Sequence, residues 1–347
     1  MTGKQRVRVL VVDDSAFARK VLREALEACP EIEVVGIARD GLDALEKISQ
    51  LKPDVLTLDL IMPNLDGLGV LRALQVVPNA PAVVVVSTAE EDGELGIAAL
   101  VAGAFELVHK PTALALDRLY ELGDELVRKV IAAGRSGTRP LSSRRPSQEL
   151  SLGATVVAGR TAMVVLGAST GGPHAVHTLL RALPKGFPVP LAIVLHLPPG
   201  YTEPFAKTLD AECALSVVEA SHDLQLEAGM VVIARAGIHM RICARGGKGW
   251  VTELAEAPQS LHRPSVDVLF QSAAQHVGKR TLAVVLTGMG DDGLLGSRAI
   301  HAVGGRILTE SESSAVVYGM PRCVFEDGIS HAQSPLEHMA EMILQQL

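Results

Sequence analysis

Residues 163–172 have the sequence MVVLGASTGG, an apolar run that leads into a serine in the pattern G-x-S-x-G. Short apolar runs bounded by glycine or proline are typical of buried parallel strands. Two later runs have the same form: residues 191–195 (LAIVL) lead into His196, and residues 282–286 (LAVVL) lead into TGMGDDG. Functional residues of an open α/β sheet collect at the carboxyl ends of its strands. We therefore expect Ser169, His196 and an aspartate to meet at one edge of a sheet.

A serine, a histidine and an aspartate at one edge are the components of a hydrolytic triad. The acid is either Asp291 or Asp292, because both follow the same strand and the pattern does not separate them. Each residue also has a simpler interpretation: His196 as an ordinary strand-end histidine, and the aspartates as a turn or helix cap. The order Ser, His, Asp differs from the Ser, Asp, His order of α/β hydrolases, so an analogy with that fold does not apply.

The loop VVLGASTGG also resembles the dinucleotide-binding loop of short-chain dehydrogenases. A dinucleotide site requires an acid at the end of the next strand to hold the ribose, but His196 stands there. Such an enzyme also requires Tyr-x-x-x-Lys. Four residues after Tyr120, Tyr201 and Tyr318 stand Asp124, Phe205 and Arg322. The sequence therefore favours hydrolysis over hydride transfer at this loop.

Strands and helices also alternate through the first part of the chain, where hydrophobic periodicity predicts five β/α units. The predicted strands are 7–12, 32–37, 55–58, 82–86 and 105–108. The predicted helices are 16–28, 41–51, 68–74, 95–102 and 115–133. This alternation predicts a doubly wound, five-stranded parallel α/β domain.

Residues 134–148 (GRSGTRPLSSRRPSQ) interrupt the alternation with glycine, proline, serine and four arginines, and they have no apolar periodicity. Such a composition is typical of a linker between domains. A second α/β pattern begins near Val156. We therefore predict one domain over residues 5–133, a linker over 134–155, and a second, open-sheet α/β domain over 156–347.

Charged residues end three strands of the first domain. Asp13 and Asp14 follow the first strand, Asp59 follows the third, and Lys110 follows the fifth. Crowded carboxylates repel one another unless a cation neutralises them, and Mg²⁺ prefers such hard oxygen ligands. A carboxylate can also attack phosphorus, while a lysine binds the phosphoryl oxygens. Any one of these acids alone is more often a solvated loop residue, but the whole set predicts a phosphoryl-transfer site.

The composition limits the classes of function. A length of 347 residues fits two domains. A net charge of −7, without a basic recognition helix after the linker, argues against nucleic-acid binding. The four cysteines form no C-x-x-C pair, so neither zinc nor a disulfide framework is expected, and a reducing cytoplasm fits. No apolar run has membrane-spanning length and no signal-peptide core precedes the first strand, so we expect no membrane insertion.

The first domain resembles the receiver domain of bacterial response regulators in the stretches VLVVDDS, PDVLTLDLIMPNLDG and HKP. The resemblance implies that Asp59 accepts a phosphoryl group from a histidine kinase. It also implies that Lys110, across a cis bond to Pro111, contacts the phosphoryl group together with a hydroxyl from Ser87 or Thr88. The implied Mg²⁺ ligands are the carboxylates of Asp13, Asp14 and Asp59 and the backbone carbonyl of Ile61.

Two positions depart from the receiver pattern. Receivers usually place one hydroxyl after the fourth strand, whereas both Ser87 and Thr88 are candidates here. Receivers often carry an aromatic residue three places before the lysine, whereas this chain has Leu107. Rotation of an aromatic ring at that position is therefore not available as a switching device.

The second domain, over residues 161–331, resembles the catalytic domain of the chemotaxis protein-glutamate methylesterase (CheB) family. The matching stretches are LGASTGGP, LHLPPGYT, HRPSVDVLF, LTGMGDDG and YGMPR. The resemblance implies oxyanion stabilisation by the backbone amide of Met289, with Thr170 close to the nucleophile. The implied nucleophile, base and orienting acid are Ser169, His196 and Asp292.

Two positions also depart from this family. Its members often have Asn where Asp291 stands and Gln where Leu195 stands, and neither change removes a member of the triad. The carboxylate of Asp291 adds a negative charge beside Asp292. Like-charge repulsion is therefore expected to raise the pKa of an acid in this region.

Together the two resemblances cover nearly the whole chain. They imply a cytoplasmic enzyme that hydrolyses glutamate γ-methyl esters on the helices of chemoreceptors, releases methanol and deamidates certain receptor glutamines. The esterase domain is expected to need no cofactor. The unphosphorylated receiver is expected to cover the active-site edge until Asp59 is phosphorylated. The alternative is a non-enzymatic receiver whose second domain only binds a partner, and the complete set of triad candidates argues against it.

Overall fold

The structure, a computed structural model, describes residues 6–87, 89–110, 116–135, 161–246 and 249–347. The chain forms two compact units, Met1–Arg145 and Pro146–Leu347. Residues 136–160, which contain most of the predicted linker, lie outside the described residues. The predicted domain boundaries therefore stay a prediction, and the two units are described separately.

The first unit is built on a five-stranded parallel sheet. Its strands are β1 (Val7–Val12), β2 (Ile32–Ala38), β3 (Val55–Leu58), β4 (Ala82–Ser87) and β5 (Glu106–His109). Its helices are α1 (Ala16–Glu27), α2 (Gly41–Leu51), α3 (Gly67–Leu74), α4 (Ala89–Val101) and α5 (Leu116–Arg135). The strand order β2-β1-β3-β4-β5 changes direction between β1 and β3, and such a switch point places a crevice at the carboxyl ends of those strands.

Local chemistry explains where several of these helices begin. Ser15 caps α1, Asp40 caps α2 and Asp66 caps α3, each accepting the backbone N–H three residues further on. Such caps satisfy amides that the first turn of a helix leaves without partners. Every residue of β3 is buried, as expected for a parallel strand covered on both faces.

The second unit contains a larger parallel sheet and a hairpin. Its strands are β6 (Met163–Ala168), β7 (Leu191–Leu195), β8 (Ser216–Glu219), β9 (Met230–Ile233), β10 (His239–Ala244), β11 (Trp250–Ala255), β12 (Thr281–Val285), β13 (Arg306–Glu310) and β14 (Ala332–Ser334). Its helices are α6 (Gly172–Ala182), α7 (Thr202–Glu212), α8 (Val266–His276), α9 (Leu294–Ala302), α10 (Met320–Glu326) and α11 (Leu336–Leu344). Seven strands form the main sheet in the order β14-β13-β12-β6-β7-β9-β8, and β10 and β11 form an antiparallel hairpin.

Strand β6 lies near the centre of the main sheet, between β12 and β7. Ala168 at the end of β6 is level with Leu195 at the end of β7, so the residues that follow leave the sheet at the same height. Gly167 of β6 is likewise level with Val285 at the end of β12. This register brings the three loops that follow β6, β7 and β12 to one edge.

The predicted fold class is confirmed, with a doubly wound five-stranded sheet in one unit and an open parallel sheet in the other. Helix α4 begins at Ala89, not at Leu95, because residues 90–94 (EEDGE) give no apolar stripe by which to recognise a helix. Helix α5 continues to Arg135, so two residues assigned to the linker are helical. A Cβ at Gly134 would lie 2.5 Å from a Val7 methyl carbon, so that glycine allows close packing and does not end the helix.

The sequence did not predict the hairpin of β10 and β11. It packs against α8, where Ile242 of β10 donates its N–H to the Ser272 hydroxyl (2.9 Å). Among the helices of the described ranges, none is both long and apolar enough to cross a membrane.

Candidate active site

Three side chains from three neighbouring strand ends form a hydrogen-bonded chain in the second unit. The Ser169 hydroxyl donates to Nδ1 of His196, with an Oγ–Nδ1 distance of 3.1 Å. Nε2–H of His196 donates to Oδ2 of Asp292 at 2.9 Å. Only 11% of the His196 side chain and 9% of the Asp292 side chain are exposed. In this arrangement the ring can accept the hydroxyl proton while the carboxylate stabilises the imidazolium.

Two glycines allow the turn that presents Ser169 between β6 and α6. A Cβ at Gly167 would lie 2.3 Å from a methyl carbon of Val266, and a Cβ at Gly171 would lie 2.6 Å from Cβ of Val316. Gly171 also has a φ of +76°, a left-handed conformation that costs little only for glycine. The G-x-S-x-G pattern therefore reflects close packing on both sides of the serine.

Asp292 lies at the N-terminus of α8, where several donors converge on its carboxylate. Oδ1 accepts the Ser265 hydroxyl (2.9 Å) and the N–H of Asp267 (3.0 Å), and Oδ2 also accepts the N–H of Val266 (2.8 Å). Burial raises the pKa of Asp292, but the hydrogen bond and charge of His196 and these amides outweigh burial and lower the pKa to about 2. Asp292 is therefore ionised at neutral pH.

Asp291 has different surroundings. It is exposed, and its carbonyl accepts the N–H of Leu294 at the start of α9. The like-charge effect that we expected from its carboxylate falls on Asp267, whose pKa is raised to about 6 by burial, with further contributions from Asp292 and Asp291. Of the two aspartates that the pattern left open, the structure brings Asp292 into contact with His196.

A second imidazole, which sequence reasoning missed, covers His196. The rings of His262 and His196 are stacked, with centroids 4.2 Å apart and planes inclined by 17°. This stacking restricts the orientation of the ring that links serine and aspartate. His262 begins the stretch HRPSVDVLF, in which residues 265–267 bind Asp292. Its contact with a ring 66 positions earlier is visible only in three dimensions.

His239, also missed, supports the residue that caps α8. Its buried Nδ1 accepts the N–H of Ser265 (3.2 Å), so Nε2–H is the donor to the carbonyl of Pro258 (3.0 Å). Burial lowers the pKa of His239, which favours this neutral tautomer. His239 thus fixes Ser265, whose hydroxyl binds Asp292.

Thr287, two residues after β12, connects the serine turn to the rest of the sheet. Its carbonyl accepts the N–H of Ser169 (3.0 Å), and its hydroxyl donates to the carbonyl of Thr170 (2.9 Å). Its own N–H donates to the buried carboxylate of Glu310 on β13 (2.8 Å). Glu310 therefore anchors the loop that packs against the serine, and nothing in its sequence context indicated this role.

The loop 287–293 passes next to the serine. A Cβ at Gly288 would lie 2.9 Å from Cβ of Ser169, and the Gly288 carbonyl accepts two backbone N–H groups at the start of α10. Met289 follows directly and is half-buried, whereas Thr170 is buried. Both residues therefore lie beside the serine, and their contribution to oxyanion binding stays a prediction.

The acidic cluster predicted for the first unit also comes together. Each of Asp13, Asp14 and Asp59 offers an oxygen within 4.8 Å of the others. Nζ of Lys110 donates to Asp13 (2.7 Å) and to Asp59 (3.0 Å). The N–H of Ile61 donates to Oδ1 of Asp59 (3.4 Å). All five residues lie beside the carboxyl ends of β1, β3 and β5.

The charges of this cluster are not balanced within it. Burial raises the pKa of Asp59 against the attraction of Lys110, and the charge of Asp13 raises it further. Burial alone would lower the pKa of Lys110, but the two carboxylates that it contacts raise that pKa above its usual value. Three carboxylates face one ammonium group, and hard oxygen donors suit a divalent cation. The donor set therefore fits Mg²⁺.

The remaining predicted receiver residues are described in part. Ser87 is buried at the end of β4, and its carbonyl accepts the N–H of Lys110 (2.8 Å). Thr88 and Pro111 lie outside the described residues. The choice between the Ser87 and Thr88 hydroxyls and the cis bond to Pro111 therefore stay predictions. Leu107 is buried in β5.

Comparison with known families covers both units. A family model described as CheB methylesterase matches residues 164–343, and a model described as response regulator receiver domain matches residues 9–121. The chain belongs to the CheB methylesterase family. The predictions of a receiver domain and of an ester-hydrolysing enzyme are therefore confirmed, and the family excludes the non-enzymatic and dehydrogenase alternatives.

Relatives match this chain over nearly its whole length. It is 56% identical to the protein-glutamate methylesterase/protein-glutamine glutaminase 5 of Myxococcus xanthus, over 99% of both chains. It is 36% identical to the protein-glutamate methylesterase/protein-glutamine glutaminase of Thermotoga maritima, over 98% of both chains. The crystal structure of the T. maritima CheB methylesterase catalytic domain superimposes with a TM-score of 0.53 at 34% identity, covering 54% of this chain and 99% of that chain.

Proposed function

We propose that this chain is a phosphorylation-activated protein-glutamate methylesterase of chemoreceptors, and that it also deamidates receptor glutamines. The observation that carries the proposal is the hydrogen-bonded chain from Ser169 through His196 to Asp292. The substrate class follows from relatives named protein-glutamate methylesterase/protein-glutamine glutaminase.

The reaction begins when Ser169 Oγ attacks the ester carbonyl while Nδ1 of His196 accepts the hydroxyl proton. The C–O bond to the methoxy group then breaks, and the imidazolium returns this proton to the leaving oxygen, which departs as methanol. Water then attacks the acyl-enzyme with His196 again as the base. Hydrolysis releases a glutamate carboxylate and restores Ser169, while Asp292 stabilises the imidazolium in both steps.

Charge that develops on the carbonyl oxygen needs donors on the side away from the base. The N–H of Met289 is the proposed donor, because Gly288 packs directly against Ser169 and fixes the loop. Thr170, next to the nucleophile, is the second residue that we propose for the oxyanion site. Hydrogen bonds of the Thr287 hydroxyl and of the Glu310 carboxylate hold the loop 287–293 against the serine turn.

The same acyl-enzyme accounts for deamidation. A glutamine side chain carries an amide in place of the ester, so the group that leaves is ammonia and not methanol. His196 donates the proton to the departing nitrogen, and water then releases glutamate from Ser169. One site therefore suffices for both proposed activities.

In the receiver, an oxygen of Asp59 attacks the phosphorus of a phosphorylated histidine on a kinase, forming a P–O bond as the P–N bond breaks. Lys110 binds the transferred group electrostatically, with a hydroxyl from Ser87 or Thr88 as a further contact. The carboxylates of Asp13, Asp14 and Asp59 and the carbonyl of Ile61 would hold Mg²⁺. The ion, when bound, neutralises charge at the site of transfer.

Regulation follows if the unphosphorylated receiver covers the active-site edge of the esterase domain. Phosphorylation of Asp59 would then shift the population toward an uncovered state, which needs only a few kcal/mol of coupling. The proposed partners are the cytoplasmic helices of chemoreceptors and a histidine kinase, in the cytoplasm. We propose no nucleic-acid partner and no membrane insertion, and no cofactor in the esterase domain.

The substrate is tested by incubating the full-length protein with chemoreceptor that carries radiolabelled methyl esters. Release of labelled methanol is expected, and mass spectrometry should show glutamine converted to glutamate at the deamidation sites. Ser169→Ala is the matched control and should give neither product. A folded protein that leaves the esters intact, with or without a phosphodonor, would contradict the proposal.

A further inference from the structure

A carboxylate near the start of each of the helices α8 and α9 accepts hydrogen bonds from the N-terminus of the other helix. Asp292, just before α9, accepts the cap hydroxyl and the first two amides of α8. Asp267, the second residue of α8, returns the contact. Its Oδ1 accepts the N–H of Gly293 (3.0 Å) and the N–H of Gly296 (2.7 Å) at the start of α9. Each carboxylate thus satisfies amides at the start of the other helix, where negative charge is stabilised.

The starts of the two helices are packed too closely for one to slide along the other. A Cβ at Gly296 would lie 2.4 Å from Cβ of Phe270 and 3.1 Å from Cα of Asp267. Gly293 has a φ of +103°, and a Cβ there would lie 2.9 Å from a Val266 methyl carbon. The backbone that carries the triad acid is therefore fixed against α8 from both sides.

The surroundings of Asp267 are electrostatically unfavourable for a carboxylate. Burial raises its pKa to about 6, and the charges that face it from the loop before α9, Asp292 and Asp291, are both negative. The amides of Gly296 and Gly293 oppose this effect. Strongly shifted pKa values often occur at functional sites, and the two hydrogen bonds from Asp267 to the start of α9 give the geometric reason to look for such a role here.

We infer that Asp267 is a positioning residue for the triad acid: by holding the start of α9 against α8, it keeps Asp292 within hydrogen-bond distance of His196. This inference rests on the proposed function. Asp267 acts through Asp292, so its loss should lower turnover more than substrate binding. The same two amides can be bound by an amide oxygen, so Asp267→Asn should preserve the contact that Asp267→Ala removes.

The test compares full-length wild type, Asp267→Ala and Asp267→Asn in methanol release from methylated chemoreceptor. For Asp267→Ala we expect kcat to fall by about tenfold or more with little change in KM. Asp267→Asn should keep most of kcat. Its pH profile should differ, because the group that ionises near pH 6 beside the Asp292–His196 pair is gone. The acid limb of kcat/KM should therefore move to lower pH.

Asp210→Ala is the matched control, since the Asp210 carboxylate also accepts a backbone N–H, that of Val217 (2.8 Å), and belongs to no part of the proposed site. This variant should keep kcat. Labelling of Ser169 by a fluorophosphonate, which needs no receptor, should slow in Asp267→Ala and not in Asp210→Ala. An inactive wild type would contradict the proposed function, and the labelling rates would still test the inference.

Three outcomes would overturn the role of Asp267. One is an Asp267→Ala protein with wild-type kcat and wild-type labelling. Another is Asp267→Asn as impaired as a folded Asp267→Ala, which would show that bonding to the two amides is not what matters. If Asp267→Ala does not fold, Asp267→Leu takes its place, because it also removes the acceptor but fills the buried volume, and a folded Asp267→Leu protein with wild-type kcat and labelling overturns the inference.

Discussion

Asp291 and Asp292 are neighbours in sequence, yet only Asp292 has a set of donors around its carboxylate. Two amides, a hydroxyl and the His196 ring surround Asp292, whereas Asp291 is exposed. The lowered pKa of Asp292, about 2, keeps it ionised at any pH where the enzyme would be assayed. Titration of Asp292 therefore does not set the acid limb of the activity.

Asp292→Asn should lower turnover by orders of magnitude, because an amide neither stabilises the imidazolium nor fixes the required tautomer. Asp291→Asn is the matched variant and should keep most of the activity. Steady-state methanol release by the two purified proteins decides between the neighbours. A severe loss in Asp291→Asn beside a mild loss in Asp292→Asn would reverse the assignment.

Asp267 should make stability depend on pH in a definite direction. Its pKa is raised from an ordinary 3.8 to about 6 in the folded protein, so the folded state holds the proton more tightly. Its stabilising contribution is therefore present below the unfolded pKa and is lost as pH rises through about 6. Thermal unfolding of wild type and Asp267→Asn should show the variant gaining relative stability between about pH 4 and about pH 8. Equal differences at both pH values would contradict this.

Strand ends could be predicted at the residue level because an apolar run marks where the chain reaches the sheet edge. Ser169, His196, Asp59 and Lys110 were found in this way. His262, His239 and Glu310 were not, because each contacts its partner from a distant segment: His262 by ring stacking, the other two by binding a backbone N–H. No local spacing encodes such contacts.

At the scale of elements, the buried parallel strands were the most predictable part of the chain. The bounds of β1, β3 and β7 match the predicted strands, because continuous apolar runs between polar turns allow few alternatives. The hairpin of β10 and β11 was missed since its strands carry arginine, glutamate and threonine between apolar residues and lie outside the main sheet. Its partner is α8, and that packing is not local in sequence.

The requirement for glycine in the turn that carries Ser169 can be tested by substitution. Gly171→Ala should destabilise the protein by roughly 1–2 kcal/mol from its left-handed φ, with a further cost from the contact with Val316. Esterase activity should fall as Ser169 shifts. Gly186→Ala is the control, since a Cβ there meets no atom within 4 Å. Thermal unfolding and methanol release of both variants check this, and a Gly171→Ala protein as stable and active as wild type would contradict it.

At the scale of the whole molecule, each of the two candidate sites lies within one unit. The acidic cluster belongs to the first unit and the serine chain to the second. The alternation of elements predicted two α/β units, whereas the linker predicted from the composition of residues 134–148 stays a prediction. The proposed cover of the active-site edge would depend on how two folded domains meet, which no sequence pattern specifies.

Asp59→Asn should accept no phosphoryl group and should keep low basal esterase activity, because the triad candidates lie in the other unit. Residues 150–347 expressed alone should be at least as active as the unphosphorylated full chain, since the proposed cover is absent. Phosphorylation assays and methanol release measure both. A folded fragment less active than the intact unphosphorylated protein would show that the inhibitory cover is wrong.

The central claim, that Ser169 is the nucleophile of a phosphorylation-activated esterase, is tested most directly by methanol release from methylated receptor with wild type and Ser169→Ala, each with a phosphodonor. The Ser169→Ala protein should fold and incorporate phosphate at Asp59 as wild type does. Its methanol release should be lower by several orders of magnitude, because losing a nucleophile typically has that effect. Near-full activity in the folded, phosphorylated Ser169→Ala protein would contradict the account.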